Sequence, residues 1–335
     1  MAGTLARLDI HAHYFPTRYL ELLSRFGNRQ VGFVAGLGAG DGGGELEARL
    51  GLMDEAGVDV QAVSLSSLAP HFENAGRAIE AARLANDLCA DLTGRWPDRF
   101  VALAALPLPD IDASLVELDR AMAMAGTVGV AVTTSVVGRS IADAAFEPLF
   151  AELDRRSAVL FVHPAGRGAE SPVIESAGLA WSIGAPIEDT VAATHLIGRG
   201  VPSRHRHLRI VIAHLGGALP MLLQRLDDQL PRAFPDLPEA PSVAARRMWY
   251  DTVAHGHLPA LVAARDTFGA DRLVLGTDFP YVRGAHYRAS VDDIGRAGLE
   301  DGEVAAIVDR NGADMVGGAE LSAARDRPPS PRRAG

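Results

Sequence analysis

Short apolar runs alternate with amphipathic segments along most of the chain. The apolar runs predict eight buried strands, and the segments between them show the apolar spacing of helices. The predicted strands cover residues 8–13, 58–65, 100–106, 128–133, 159–162, 209–213, 248–251 and 273–276. Apolar strands that alternate with helices indicate a parallel sheet, and eight such units predict a distorted (β/α)8 TIM barrel. The alternative is an open doubly wound sheet, but no glycine fingerprint follows the first predicted strand of this chain.

Two segments fall outside this alternation. Residues 17–44 show no clear periodicity and end in Gly42-Gly43-Gly44, so we expect a loop insertion after the first strand. Residues 323–335 are rich in proline and arginine, a composition typical of a disordered tail. We therefore predict a single barrel domain over residues 1–322, followed by a disordered tail over residues 323–335.

Composition narrows the class of protein. The formal net charge is −10 and there is no basic cluster, which argues against a nucleic-acid partner. No apolar run is long enough to span a membrane. The first residues lack the apolar core of a signal peptide, and Cys89 is the only cysteine, so we expect a cytoplasmic protein without disulfides.

The chain contains no lysine, since all 32 of its basic residues are arginine. This absence excludes Schiff-base chemistry, which needs a lysine amine. It also excludes the carboxylated lysine that bridges two metal ions in some metal-dependent hydrolases. If the chain binds a catalytic metal, we therefore expect a single ion.

Five potential metal ligands stand where predicted strands end. His11 and His13 end the first strand, His163 follows the fifth, His214 the sixth and Asp278 the eighth. Active sites of such barrels lie at the carboxyl ends of the strands, which form one rim. His11 and His13 are two positions apart, so their side chains point to the same side of a strand. Imidazoles together with a carboxylate suit a transition metal, and we predict a metal site at this rim.

Other polar and aromatic side chains also follow strands or rim motifs. His71 follows the second strand and His255 the seventh, which makes both candidate substrate contacts. Aromatic side chains near the rim motifs would suit a flat substrate; they are Tyr14, Phe15, Trp181, Phe279 and Tyr281. By contrast, Arg204-His205-Arg206-His207 precedes the sixth strand, so we expect its histidines at the surface of the opposite face.

The rim motifs resemble those of the amidohydrolase superfamily. Four stretches carry the resemblance, in order along the chain: Asp9-Ile10-His11-Ala12-His13, Val162-His163-Pro164, Ala213-His214-Leu215-Gly216-Gly217 and Gly276-Thr277-Asp278-Phe279-Pro280. They are most similar to its branch of metal-dependent non-oxidative decarboxylases, which act on aminocarboxymuconate semialdehyde, γ-resorcylate or 6-methylsalicylate. Lactone hydrolases share this branch.

The resemblance implies a metal centre with an adjacent catalytic group. It implies one divalent ion, Zn²⁺ in most members and Mn²⁺ in some, held by His11, His13, His163 and Asp278. His214 would be the catalytic acid or base beside that ion.

The resemblance also implies substrate contacts and a homodimer. In the semialdehyde decarboxylase, an arginine eleven positions after the catalytic histidine reaches the substrate carboxylate of the neighbouring subunit, and Arg225 stands at that spacing. Trp181 lies near the position of a substrate-contacting tryptophan. A second substrate arginine, expected in the first long loop, has no clear counterpart, since the arginines between Arg18 and Arg49 are Arg25 and Arg29.

Two reactions fit these residues. We expect decarboxylation of a small aromatic or unsaturated hydroxycarboxylic acid, with His214 or Asp278 as the proton donor. The alternative is hydrolysis of a lactone or amide, in which one of the same residues deprotonates a metal-activated water. A third possibility is a binding protein built on a metal-stabilised barrel. His214, which a four-ligand site does not require, argues against it.

Overall fold

Eight parallel strands form the centre of the computed structural model, which describes residues 6–317. They are β1 (Leu8–His13), β2 (Val60–Ser64), β3 (Phe100–Ala104), β4 (Thr127–Thr133), β5 (Val159–His163), β6 (Arg209–Ile212), β7 (Trp249–Asp251) and β8 (Leu273–Val274). Each strand pairs with its neighbours in sequence. Backbone hydrogen bonds join β1 to the segment after β8, including Ile10 N to Leu275 O at 2.9 Å and His13 N to Phe279 O at 2.7 Å. The predicted (β/α)8 barrel is confirmed.

Helices surround the barrel and connect its strands. They are α1 (Thr17–Arg25), α2 (Val31–Val34), α3 (Gly43–Ala56), α4 (Ala75–Arg95), α5 (Ile111–Met122), α6 (Glu147–Arg155), α7 (Pro172–Ser176), α8 (Ala185–Gly198), α9 (Val201–Arg204), α10 (Leu219–Ala233), α11 (Pro241–Ala245), α12 (Leu258–Phe268), α13 (Ala285–Arg296), α14 (Asp301–Ala305) and α15 (Asn311–Met315). Local chemistry sets their ends. The Asn74 side chain, for example, accepts a hydrogen bond from Arg77 N and caps α4. None of the helices within residues 6–317 is long and apolar enough to cross a bilayer.

The connection after β1 is long, as predicted, but it is helical rather than irregular. Its first helix, α1, buries Tyr19, Leu22 and Leu23 in the core. The Tyr19 hydroxyl donates to Leu68 O at 2.7 Å and so ties the helix to the segment after β2. These apolar residues do recur at helical spacing, but the glycine-rich stretch that follows them obscures the pattern. The predicted tail, residues 323–335, lies outside the described residues.

Apolar side chains form two layers. One fills the barrel, with Leu103, Phe161 and Val211 among its members, and α15 adds Met315 to it. The other packs between the strands and the surrounding helices. The strands are therefore buried on both faces, which is why they appear in the sequence as continuous apolar runs.

An irregularity in β1 determines which of its side chains enter the barrel. The pairing of β1 with β2 shifts by one residue between Asp9 and Ala12. Such a bulge reverses the alternation of side chains beyond it. Ile10 belongs to the interior layer and Ala12 to the outer layer. His11 and His13 consequently face the barrel interior. Ile10 faces the interior as well, which a regular strand would not allow for the immediate neighbour of His11.

Candidate active site

The structure brings all five predicted metal-site residues together at the carboxyl ends of the strands. His11, His163, His214 and Asp278 each offer a donor atom, and these atoms lie within 4.8 Å of one another. His13 stands beside this group, with its Nε2 3.0 Å from Asp278 Oδ1. The ring centroids of His13 and His163 are 4.9 Å apart. We call these five residues the rim cluster.

The rim cluster fits a divalent transition metal. The Nε2 atom of His11 is buried and makes no hydrogen bond, although it lies 3.2 Å from Asp278 Oδ1. Imidazole nitrogens and a carboxylate oxygen are the ligands found at mononuclear zinc and manganese sites. A buried imidazole nitrogen without a partner, surrounded by three more rings and a carboxylate, is a ligand set for such an ion.

Each histidine of the rim cluster has its other ring nitrogen, Nδ1, held by a neighbour. The partners are Asp251 Oδ2 at 2.7 Å for His11, Ser66 Oγ at 3.2 Å for His13, Pro164 O at 2.9 Å for His163 and Asp189 Oδ2 at 2.8 Å for His214. Partners of this kind set the ring orientation and leave Nε2 as the coordinating or proton-transferring atom.

Two of these partners, Asp189 and Asp251, are absent from the sequence-based predictions. Asp251 ends β7, and this position at a strand end is a sequence signal that could have identified it as a rim residue. Its second oxygen accepts from His214 N at 2.9 Å, which joins β7 to the segment after β6. Asp189 lies within α8, where nothing in the sequence distinguishes it from a solvated helix residue. Both carboxylates are fully buried.

Charges and burial favour the metal-binding protonation state at three residues of the rim cluster, Asp278, His13 and His163, whereas His11 would have to lose a proton when a metal binds. Burial would raise the pKa of Asp278, but the neighbouring histidines, His11 first among them, hold it well below its usual value. Burial lowers the pKa of His13 and, more strongly, that of His163. Burial would also lower the pKa of His11, but the carboxylates of Asp251 and Asp278 outweigh it and raise that pKa to about 9. An ionised carboxylate and neutral imidazoles at His13 and His163 are the forms that bind a cation.

A buried polar network behind β1 holds the backbone of the rim. The Asp9 carboxylate accepts hydrogen bonds from Thr277 Oγ1 at 2.6 Å, Thr277 N at 3.0 Å, His11 N at 3.1 Å and Gln61 Nε2 at 2.8 Å. Arg49 donates to Gln61 Oε1 at 2.7 Å and to His13 O at 2.8 Å. The network links β1 to the segment that carries Asp278, and it fixes the carbonyl of His13. Arg49 and Gln61 are not among the residues predicted from the sequence.

The turn after β6 explains the glycines of His214-Leu215-Gly216-Gly217. All four residues have positive φ angles, between 50° and 73°. A Cβ atom on Gly216 would lie 2.8 Å from the Tyr250 ring, and one on Gly217 would lie 1.9 Å from Pro186 O. Close approach and left-handed backbone both require glycine here, and the resulting turn places His214 against Asp189.

We expect Gly217→Ala to lower the free energy of unfolding by about 2–4 kcal/mol, the sum of a steric clash and backbone strain. Urea denaturation would measure this loss. The matched control is Gly94→Ala, at an exposed position of α4 where an added methyl group would have no described atom within 4 Å apart from its chain neighbours and the backbone of its own helix. It should be neutral or stabilising by up to about 1 kcal/mol. Equal stability of Gly217→Ala and the wild type would contradict the close approach to Pro186.

Several predicted substrate contacts surround the rim cluster. Phe15 stacks on the His13 ring, with centroids 5.5 Å apart and planes inclined by 9°. The Tyr281 ring lies 5.2 Å from that of His13 on another side, and Trp181 stacks on Tyr281 at 6.5 Å. Trp181 is 46 % exposed and Tyr281 is 41 % exposed, so both are accessible to a ligand.

His71 lies in the wall of a cavity of about 620 Å³. Ala165, two residues beyond His163, lines the same cavity, as does Ser67. The Ser67 hydroxyl is 3.4 Å from the Tyr281 hydroxyl. The cavity thus borders the segments that carry the rim residues, and its volume suits a small-molecule ligand.

The remaining sequence-based predictions concern residues that are not members of the rim cluster. Tyr14, predicted to contact substrate, is buried in the layer between strands and helices because it points to the opposite side of the chain from His13. Arg225 and His255 are exposed, on α10 and after β7 respectively. The prediction of a surface position was wrong for His205, which is buried and bonded through Nε2 to Glu147 Oε1 at 2.8 Å.

Comparison with known proteins identifies the family. The amidohydrolase family model matches residues 8–318. The chain is 31 % identical over 255 residues to γ-resorcylate decarboxylase of Rhizobium radiobacter, covering 70 % of this chain and 76 % of that protein. It is 28 % identical over 244 residues to 2-amino-3-carboxymuconate-6-semialdehyde decarboxylase of Dictyostelium discoideum, covering 71 % of this chain and 67 % of that protein.

Solved structures show the same fold. The dihydroxybenzoic acid decarboxylase of Polaromonas sp. JS666, with bound manganese and the inhibitor 2-nitroresorcinol, has a TM-score of 0.78 at 23 % identity, over 93 % of this chain and 97 % of that one. The 5-carboxyvanillate decarboxylase of Sphingomonas paucimobilis has a TM-score of 0.77 at 24 % identity, over 93 % and 99 %. The resemblance drawn from the four rim motifs is confirmed: the chain belongs to the amidohydrolase family.

Proposed function

We propose that this protein is a metal-dependent, non-oxidative decarboxylase of a small aromatic or unsaturated hydroxycarboxylic acid. The observation that carries the proposal is the rim cluster, in which a histidine backed by a buried aspartate stands among metal-ligand side chains. The relatives that the chain resembles over about 70 % of its length are decarboxylases, which favours decarboxylation over the hydrolysis of a lactone or amide.

The proposed cofactor is one divalent ion, Zn²⁺ in the first instance and Mn²⁺ as the alternative. His11, His13, His163 and Asp278 would hold it, which leaves His214 for proton transfer. Bound there, the ion would supply positive charge that orients the substrate carboxylate and a neighbouring oxygen. Support for manganese comes from the related Polaromonas enzyme, whose structure contains it.

The chain's own residues would control the proton. Decarboxylation requires a proton on the carbon that bears the carboxylate, after which the bond to CO₂ breaks and its electron pair returns to the ring or double bond. His214 is one proposed donor, since Asp189 holds its Nδ1 and directs Nε2 towards the rim cluster. Asp278, whose Oδ2 lies 3.8 Å from His214 Nε2, is the alternative donor, and its ionised carboxylate would first have to take up a proton. Either residue would be reprotonated from solvent.

Substrate contacts and assembly follow from the same proposal. Phe15, Trp181 and Tyr281 would pack against a flat substrate. Arg225 would bind the substrate carboxylate of a second subunit in a homodimer, and its exposed position on α10 leaves it accessible for that role. His255, also exposed, remains a predicted contact. The cytoplasmic location stays a prediction from the sequence.

An isotope experiment would separate the two reactions. In D₂O, we expect an ortho-hydroxybenzoate or muconate substrate to release CO₂ and to gain one deuterium at the former carboxyl carbon, because that carbon forms a new C–H bond. Mass spectrometry and NMR of the product would measure it. A chelator-treated sample is the control for metal dependence. No CO₂ from any acid of the panel, together with entry of ¹⁸O from water into a lactone-derived acid, would assign the hydrolase function instead.

A further inference from the structure

The peptide group that follows His163 is hydrogen-bonded on both sides. Its carbonyl oxygen, Pro164 O, lies 2.9 Å from His163 Nδ1. A carbonyl can only accept, so Nδ1 carries the ring hydrogen and Nε2 of the neutral ring carries the lone pair that a metal needs. The N–H of the same peptide group belongs to Ala165, and it donates to Glu188 Oε2 at 2.6 Å. One peptide group therefore joins the imidazole to a carboxylate, and we call this arrangement the peptide bridge.

The carboxylate of Glu188 is held firmly at its end of the bridge. Glu188 lies in the first turn of α8 and is only 4 % exposed. Its Oε2 also accepts from the Thr134 hydroxyl at 2.7 Å, and its Oε1 accepts from Arg167 N at 2.6 Å. The Ala165 N–H has a second, longer contact of 3.2 Å to Thr134 Oγ1. Both carboxylate oxygens act as acceptors, which is the bonding pattern of an ionised carboxylate.

The next residue of α8 holds a second histidine of the rim cluster. Asp189 Oδ2 lies 2.8 Å from His214 Nδ1. Glu188 and Asp189 are thus adjacent carboxylates on one helix that stand behind His163 and His214. The first acts through the peptide bridge and the second acts directly.

The peptide bridge has an electronic consequence for the His163 ring. Hydrogen bonds to an ionised acceptor are roughly twice as strong as neutral ones, and bonds in series polarise one another. The negative charge of Glu188 attracts the hydrogen of Ala165 N, which increases the electron density on Pro164 O. That oxygen then attracts the hydrogen of His163 Nδ1 more strongly. The lone pair of Nε2 becomes more basic, as it does in histidines that a carboxylate backs directly.

We propose that Glu188 is a positioning residue for the metal, which orients His163 and strengthens it as a ligand through the peptide bridge. This role rests on the proposed function, in which His163 holds a divalent ion. It does not depend on whether His13 or His214 completes the ligand set, because His163 belongs to both sets.

Glu188→Gln tests the role, because glutamine keeps the size of the side chain and one acceptor oxygen but removes the negative charge. Metal-free, full-length protein would be titrated with Zn²⁺, and separately with Mn²⁺, in competition with a chromogenic chelator. We expect the Kd for the metal to rise by about tenfold, the lower end of the effect of altering a group behind a metal ligand. Asp251→Asn alters the carboxylate that bonds directly to His11 Nδ1 at 2.7 Å, and it should raise the Kd at least as much.

Two control variants separate the charge of Glu188 from its packing. Glu117→Gln changes another buried glutamate, 3 % exposed, whose partners include Asn86 and Arg120, and the Kd should not change. Thr134→Val removes one hydrogen bond to Glu188 but keeps the carboxylate and the peptide bridge, so the Kd should stay close to that of the wild type. Equal losses of affinity in Thr134→Val and Glu188→Gln would overturn the proposal. Thermal unfolding of the metal-free proteins would show whether each variant is folded.

The wild type provides an independent measurement that decides the matter if Glu188→Gln does not fold. Zinc bound to His163 Nε2 would make Nδ1–H a stronger donor, and the peptide bridge would pass this effect to the N–H of Ala165. In NMR spectra of alanine-labelled protein, the Ala165 amide proton should move downfield when Zn²⁺ is added. The amide proton of Ala158, just before β5, should move much less. An Ala165 signal that stays in place would contradict the bridge.

Release of CO₂ by the metal-loaded proteins, measured on the same preparations, keeps this role distinct from the proposed function. An unchanged Kd in Glu188→Gln, with CO₂ release by the wild type, would overturn the role of Glu188 and support the decarboxylase. A raised Kd in Glu188→Gln without CO₂ release from any acid would support the role of Glu188 and reject the decarboxylase. A wild type that binds neither Zn²⁺ nor Mn²⁺ would overturn the metal site and, with it, the role of Glu188.

Discussion

Replacing His214 by alanine is expected to lower kcat/KM for an accepted acid by about 10²–10⁴-fold, the usual effect of losing a general acid or base. The metal content should remain close to that of the wild type, because the proposed ligands are His11, His13, His163 and Asp278. Steady-state kinetics and elemental analysis of the same preparation would measure both quantities. The metal content is the critical measurement, because the donor atom of His214 lies close to those of His11, His163 and Asp278 and could itself be a ligand.

Two further variants sharpen the result for His214. Asp189→Asn retains a polar partner for His214 Nδ1 but removes the negative charge behind it, so we expect a smaller loss of kcat and an unchanged metal content. His207→Ala changes an exposed histidine before β6 and should leave both quantities unaltered. If His214→Ala loses the metal, His214 is a ligand and the proton donor must be sought elsewhere in the rim cluster, first at Asp278.

Loss of His11 or Asp278 is expected to remove most of the metal and, with it, nearly all activity. Purified protein should contain about one transition-metal ion per chain, and His11→Ala or Asp278→Ala should contain only a small fraction of that. Each substitution removes a proposed ligand, and Asp278 is also the carboxylate that lies closest to the Nε2 atoms of His11 and His13. Elemental analysis of protein prepared without chelators would measure the content.

His13→Ala distinguishes the two ligand sets that the structure allows. If His13 is a ligand, its loss should weaken metal binding as much as the loss of His163, and far more than the loss of His214. If the set is instead His11, His163, His214 and Asp278, His13→Ala should retain the metal. Two tightly held ions per chain would contradict the single-ion expectation, which was drawn from the absence of lysine.

Much of the fold was predictable because the barrel strands are buried on both faces. Continuous apolar runs such as those in β5 and β6, recurring between helical segments, are typical of parallel strands. The rim residues were predictable for a related reason: in a parallel barrel the residue that follows each strand lies at a common end. The presence of His163, His214 and Asp278 at those positions was enough to predict the rim cluster.

The partners of these residues were not predictable in the same way. Asp189 contacts His214 from α8, and Arg49 contacts the His13 carbonyl from α3. In the sequence both look like ordinary charged residues of a helix surface. Their burial depends on how each helix is rotated and placed against the barrel, which local patterns do not specify.

The sequence by itself determined the order of strands and helices and the set of side chains at the rim, because these depend on burial and on position along each strand. Only the tertiary structure decided which side chains of β1 face that rim and which buried partners hold the rim residues. The bulge in β1 is the clearest case: the regular alternation of a strand would send His11 and Ile10 to opposite sides, yet the extra residue turns both inward and leaves Tyr14 in the outer layer. That bulge is held by contacts of Asp9 with Gln61 and Thr277, and such contacts between distant residues exist only once the barrel has closed.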